Sequence, residues 1–325
     1  MLSPELSLVP FPEADLGTWR AQAADRALRL RHAPMTGEPV ELALVAGAAV
    51  REELEARLAG GRPGRGQLLE QVRLGTTPVG WVWTGQDSPD TLVVLDAHLD
   101  APAEHAAALR SALEQRARTA GVRRLELGTA ADDPTHRGLV GAGPSSVVAT
   151  RMVKRLEAEP TSTANPVSLR PMTAAEVADH LETAVEDFAQ VRHGADPGRS
   201  LEQCREESRA IHARILPAGA DTPGHAFLAP EAALEDGTSH ARIGLLWLHI
   251  TPPASYVYDV ALDAALRGRG LGRATMLAAE SWCARGGAAV LGLNVFADNP
   301  TARGLYDSLG YAVVEDHVLI DLTPG

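Results

Sequence analysis

"YVYDVALDAALRGRGLGRATMLAAE", residues 256–280, joins an aromatic, β-branched run to an alanine-rich one through "RGRGLG", residues 267–272. Between a strand and a helix, small residues let the chain curl so that successive N–H groups converge on one anion at the positive end of a helix dipole. A pyrophosphate suits that arrangement. The spacing is not G-x-G-x-x-G, because Thr275 stands in the third glycine slot counted from Gly270, and no Gly-Lys-Ser/Thr follows. A dinucleotide fold and a Walker loop are both disfavoured. A tight turn that needs glycine only for a positive φ explains the same six residues equally well.

Outward from this turn the chain alternates strands and helices. "SYVYDVAL" (255–262) reads as a strand, and Ala274, Leu277, Ala278, Ser281 and Trp282 recur at helical spacing as one buried face. "AAVLGLNVF" (288–296) is the next strand; "NPTARGLYDSLG" is a helix capped by Asn299, with Pro300 in its first turn and Gly310 at its end. "VEDHVLIDL" closes as a strand. Upstream, "VSLRPM" is a short strand, Thr173 with Glu176 forms a capping box, a helix covers about Leu201 to Ile215, and "GHAFLA" and "ARIGLLWLHI" are consecutive strands. The class is α/β (α+β), with a mixed sheet.

Much of this passage occurs twice. "ADDPTHRGLVGAG" (131–143) echoes "ADNPTARGLYDSL" (297–309), with Asp133 for Asn299 and Val140 for Tyr306. "LSLVPFPEADL" (6–16) echoes "VSLRPMTAAEV" (167–177), and Arg31-His32 returns at Arg192-His193. Pro63-Gly64, "GWVW" (80–83) and "VLDAHLDA" (94–101) return as Pro223-Gly224, "GLLW" (244–247) and "VYDVALDA" (257–264). The echoes keep their order at an offset of 160–166 residues, a drift that a few loop insertions produce. "EAEPTSTANP" (157–166) has the composition of a linker. The expected organisation is a first domain at 1–157, a linker at 158–165 and a second domain at 166–325.

The remaining composition narrows the function. Aromatics at 4%, a formal charge of -12 and a pI near 5.4 argue against nucleic acid as a partner. The acidic balance favours a cationic substrate such as an amine. Cys204 and Cys283 form no disulfide framework, no signal segment or membrane-length apolar run is present, and a cytoplasmic location without membrane association is expected. No Cys, His or carboxylate cluster has metal-ligand spacing. The composition leaves an oligomer open.

The stretch 256–280 followed by "LGLNVFADNPTARGLYDSLGY" resembles the GNAT family of acetyl-CoA-dependent N-acetyltransferases. Arg267, Gly270 and Gly272 match the family's Arg/Gln-x-x-Gly-x-Gly/Ala signature, and 299–306 matches its Asn…Tyr segment. The likeness is close over Ser255 to Tyr311 and extends over the rest of the second copy by element order. It implies two tandem domains of this fold, each a mixed, mostly antiparallel sheet flanked by helices. It also implies that the backbone of Val260, Ala261 and Leu262 pairs with the pantetheine amides of acetyl-CoA like an added strand. Gly268, Arg269, Gly270, Leu271, Gly272 and Arg273 would hold its pyrophosphate, Asn299 its arm, and Tyr306 would stand near its sulfur.

Transfer to an amine needs a neutral nucleophile, a donor for the oxyanion and an acid for the departing thiolate. Tyr306 is the expected acid, and a main-chain N–H on 260–262 the expected oxyanion donor. Asp259 is the expected base, with Tyr256, His249 and His225 as alternatives. Asp259 also reads as a structural carboxylate, since the first copy keeps it as Asp96, whereas His225 faces Arg65 there. Asn299 serves equally as a helix cap. Tyr306 shares a helical face with Ala302, Leu305 and Leu309 and serves equally in packing. Trp81, Trp83 and Trp247 read as core residues.

In the first copy the positions of "RGRGLG" hold Glu104, His105, Ala106, Ala107, Ala108 and Leu109. No glycine remains there, Glu104 would repel a phosphate, and a helix runs through. The expectation is therefore an N-acetyltransferase active in the C-terminal half, with a small-molecule or peptide amine as acceptor. The alternatives are a non-catalytic acyl-CoA sensor or scaffold, and transfer of a longer acyl group.

Overall fold

The computed structural model describes residues 5–32, 54–55, 58–59, 62–157, 165–195, 200–233 and 240–323; most of the expected linker, 158–164, lies outside them. Two compact units form, one of Met1–Val153 with Asn294–Gly325 and one of Lys154–Leu293. The sequence repeat and this spatial grouping are different partitions of the chain.

In the first unit the strands β1 (Leu6–Pro10), β4 (Gln67–Leu74), β5 (Thr77–Ser88), β6 (Thr91–Leu99) and β7 (Arg124–Thr129) lie side by side in that order. They are followed by β15 (Ala312–Asp321) and then β8 (Ser146–Arg155). The short pieces β2 (Leu58–Ala59) and β3 (Arg62–Pro63) pair with each other. Only β6 and β7 run parallel; β15 is antiparallel to both of its neighbours. Alternation along β5 sends Val82 to one face and Trp81 and Trp83 to the other. Helix α1 (Leu16–His32) covers the tryptophan face through Trp19. Helix α2 (Pro102–Thr119) covers the opposite face with Ala106, Leu109, Leu113 and Ala117, which share one helical stripe. Helix α3 (Pro134–Gly141) adds Leu139 to that core.

The second unit repeats the plan. Strands β9 (Val167–Pro171), β10 (His225–Ala233), β12 (Gly244–Thr251) and β13 (Ala254–Leu262) pair antiparallel in turn, with β11 (His240–Arg242) also on β10. β14 (Val290–Phe296) runs parallel to β13, from Ala254 with Val290 to Val257 with Leu293. Helices α4 (Ala174–Ala195) and α5 (Leu201–Ile215) begin with the capping boxes of Thr173 with Glu176 and Ser200 with Gln203. Their side of the sheet buries Val177, Leu216, Phe227 and Trp247. On the other side α6 (Leu271–Arg285) packs Ala274 against Val167, Ala232 and Ile243.

The buried face of α6 differs from the one read in the sequence. Ala274, Thr275, Met276, Ala279 and Cys283 are buried, whereas Leu277 is 38% exposed. Thr275, Ala279 and Cys283 are small and let the helix lie close to the sheet. Trp282 is turned to its flank, where Arg285 sits over the indole.

Two devices appear in both units. A Cβ on Gly80 would lie 1.9 Å from the His98 carbonyl oxygen, and one on Gly244 would lie 2.0 Å from that of Ala261, so only glycine fits at either place. A bulge follows in each neighbouring strand. Register passes from Trp83–Asp96 to Thr84–Val94, leaving Leu95 as the extra residue. It passes from Trp247–Asp259 to Leu248–Val257, leaving Tyr258.

Candidate functional site

Past β13 the chain makes a single 3-10 turn, Ala264–Leu266, and reaches Arg267 in an extended conformation. Gly268 and Gly270 then take φ of +76° and +77°, and α6 starts at Leu271 with no side chain capping its first turn. A Cβ at either glycine would meet nothing within 4 Å. Glycine is therefore required by the backbone angle rather than by crowding, and the space over the turn is open. Arg267 and Arg269 are exposed beside it. An uncapped helix start with left-handed glycines and flanking arginines fits a diphosphate. In the first repeat, Glu104 to Leu109 lie inside α2, whose first residue is Pro102.

Val260, Ala261 and Leu262 hold β13 to β12 opposite Leu246, Leu245 and Gly244. The parallel ladder to β14 stops at Val257. Asp259, next to the Tyr258 bulge, is half-buried. Burial raises its pKa, against the pull of His180 and the Val260 main-chain N–H, and Asp187 adds repulsion. His180, on α4, is 7% exposed, and its Nε2 lies 3.9 Å from the Asp259 carboxylate without a hydrogen-bond partner. Burial lowers the His180 pKa, so the ring is neutral near pH 7.

The other base candidates belong to an aromatic cluster on the same strands. The Trp247 indole is stacked between Phe227 and Tyr258, with centroids 5.1 and 4.7 Å away. Its Nε1–H donates to His225 Nδ1 at 2.9 Å. His225 stacks on His249 at 4.4 Å, and Tyr256 meets Tyr258 edge-on. Burial and the neighbouring His249 lower the His225 pKa to about 4. His225 is thus a neutral acceptor held by a tryptophan. The register also corrects its counterpart. His225 pairs with His249 as Gln67 pairs with Gly85, and Trp83 Nε1–H donates to Gln67 Oε1 at 3.2 Å. Gln67, not Arg65, occupies the equivalent place and does the same work.

Asn299 and Tyr306 lie on α7 (Pro300–Ser308), in the first unit. The Asn299 side chain accepts from Ala302 N at 3.1 Å, as Asp133 accepts from His136 N at 3.0 Å on α3. The helix cap therefore survives the change from amide to acid. Tyr306 is 5% exposed, with its ring 5.8 Å from that of Tyr311.

Around Asp96 the first repeat is differently furnished. Arg26, on α1, forms ion pairs with both Asp96 and Asp133, and Trp81 Nε1–H donates to Asp96 at 3.2 Å. Trp19 fills the space alongside, edge-on to Trp83 at 5.4 Å. At the offset of 161 that relates 6–16 to 167–177, Trp19 corresponds to His180 and Arg26 to Asp187. His180 is likewise edge-on to Trp247, at 6.2 Å. Neither His180 nor Asp187 stands out in the sequence by itself. Their signal is the exchange of tryptophan for histidine and of arginine for aspartate between repeats.

Comparison with known proteins follows the same line. The profile of the Acetyltransferase (GNAT) family matches residues 187–311. Two curated relatives from Bacillus subtilis, the uncharacterized N-acetyltransferases YycN and YdgE, are 29% identical over 150 residues and 30% identical over 151. Each match covers 45% of this chain and 92% of the relative. A solved GCN5-related N-acetyltransferase from Sphaerobacter thermophilus superposes with a TM-score of 0.58 at 16% identity, over 100% of this chain and 98% of its own. That likeness speaks to the fold.

Proposed function

The chain belongs to the GNAT family of acetyltransferases, and on that premise we propose that its second repeat moves an acetyl group from acetyl-CoA to a primary amine. The observation that carries this reading is the open, uncapped glycine turn before α6, which the first repeat replaces with continuous helix. Main-chain amides from Gly268 to Arg273 hold the diphosphate, with Arg267 and Arg269 as counter-charges. Val260, Ala261 and Leu262 present a strand for the pantetheine arm. Bound acetyl-CoA supplies an acetyl group already activated as a thioester.

The chain's own groups move the protons. Asp259 accepts one from the incoming ammonium, leaving a neutral amine able to attack. Burial has raised the Asp259 pKa, which makes the carboxylate a stronger base than an exposed one. Tyr306 gives the proton of its phenol to the departing sulfur, and the phenolate takes back the proton that the attacking nitrogen sheds as the amide forms.

The test is release of free CoA from acetyl-CoA with a panel of primary amines. Turnover is expected, and Tyr306→Phe is expected to lower kcat about 10²-fold or more while acetyl-CoA still binds. Binding without turnover, unchanged in Tyr306→Phe, would instead identify an acyl-CoA sensor.

A further inference from the structure

The two repeats carry the same carboxylate at the same bulge, but only one of them carries its counter-ion. In the first, Arg26 closes an ion pair on Asp96 and reaches Asp133 at 3.3 Å. In the second, the corresponding position is Asp187, close enough to Asp259 to repel its charge. Among the described residues no lysine or arginine pairs with Asp187 or Asp259; Arg242 is engaged by Glu176 and the Gly244 carbonyl, and Arg209, which lines the same cavity as Asp187, is engaged by Glu202. Where Trp19 fills the first repeat, His180 leaves a smaller ring with a buried, unpartnered Nε2 directed at Asp259. At the bulge, Leu95 packs into the core of the first unit, whereas Tyr258 is 40% exposed beside Asp259.

Resting on the function proposed above, we propose that the acceptor's ammonium takes, beside Asp259, the place that Arg26 fills beside Asp96. The acceptor is then a primary amine that is neutral or cationic elsewhere, an alkylamine or diamine rather than an amino acid. Two unneutralised carboxylates attract the ammonium and repel a second carboxylate. The Tyr258 ring, stacked on Trp247 and 40% exposed, offers its uncovered part to the carbon chain and to positive charge. His180 acts as a positioning residue, its Nε2–H turning toward the Asp259 carboxylate.

Butylamine, 1,4-diaminobutane and 4-aminobutanoate share a chain length and separate the possibilities. At low ionic strength the first two should be acetylated with kcat/KM about tenfold or more above the third. Asp187→Arg, which rebuilds the first repeat's ion pair, should lower kcat/KM for butylamine about 30-fold, mainly through KM, with acetyl-CoA affinity within about twofold. Equal or better use of 4-aminobutanoate, or an Asp187→Arg enzyme that works normally, overturns the inference and leaves the acetyltransferase reading standing. If acetyl-CoA neither binds nor turns over, that reading fails instead. The seat is then judged by stability: Asp187→Arg should raise Tm by about 2 °C, and Asp259→Asn should cancel the gain. Absence of that coupling overturns it.

Discussion

Trp83 and Trp247 stand on equivalent strands, each giving its indole hydrogen to a side chain on the strand alongside. Around Trp83 three places are filled: Trp19 lies edge-on, Leu95 occupies the bulge, and Arg26 neutralises two carboxylates. Around Trp247 the same three places hold His180, Tyr258 and Asp187. Folding needs the first set no more than the second, since both sheets form with the same register and the same bulge. The exchanges are therefore informative about ligands, because they alter charge and free space while leaving the scaffold alone.

Shared scaffold should fail alike in both repeats. Gly80→Val and Gly244→Val each place side-chain atoms inside a neighbouring carbonyl, and each should cost about 3 kcal/mol or more, read as a large loss of Tm or of soluble protein. A mild effect in either would break the equivalence. Ligand contacts should fail in one repeat only. Gly270→Glu should weaken acetyl-CoA binding about 100-fold or more in a calorimetric titration, by forcing a left-handed φ on a side chain and adding a repelling carboxylate. Ala107→Glu, at an exposed helical position, should leave it unchanged. Equal losses would refute the asymmetry.

The smallest effect concerns His225. Its folded pKa, about 4, lies below the ordinary imidazole value, so the unfolded chain binds more protons between about 4 and 6.5. Stability should thus fall as pH drops through that window, with the lowered pKa values of His180, His249 and, in the other repeat, His98 acting in the same direction. His225→Gln copies the first repeat. At pH 7 it should change Tm by about 1 °C or less, and thermal melts across the window should show a shallower pH slope. A large loss at pH 7 would mean that the two acceptors are not interchangeable.

Local chemistry was readable from the sequence where it depends on neighbours in the chain. Asn299 ahead of Pro300, Thr173 with Glu176 and the glycine turn all announce themselves within six residues. The buried stripe of α6 was not, because hydrophobicity pointed to Leu277 and Trp282 while close packing selected Thr275, Ala279 and Cys283. Nor was the meeting of His180 with Asp259, which joins a helix to a strand 79 positions later. Asp96 illustrates the limit most clearly. Its retention suggested a structural carboxylate in both repeats, yet the arginine that makes it structural is present in one.

The position of β15 has a consequence for biosynthesis. The slot between β7 and β8 is closed by residues 312–321, which are translated long after both of the strands they join. β7 and β8 must wait with two unpaired edges until residues 312–321 have emerged, a delay that favours chaperone capture over early independent folding. A fragment ending in the 158–165 segment would keep those edges bare and should aggregate.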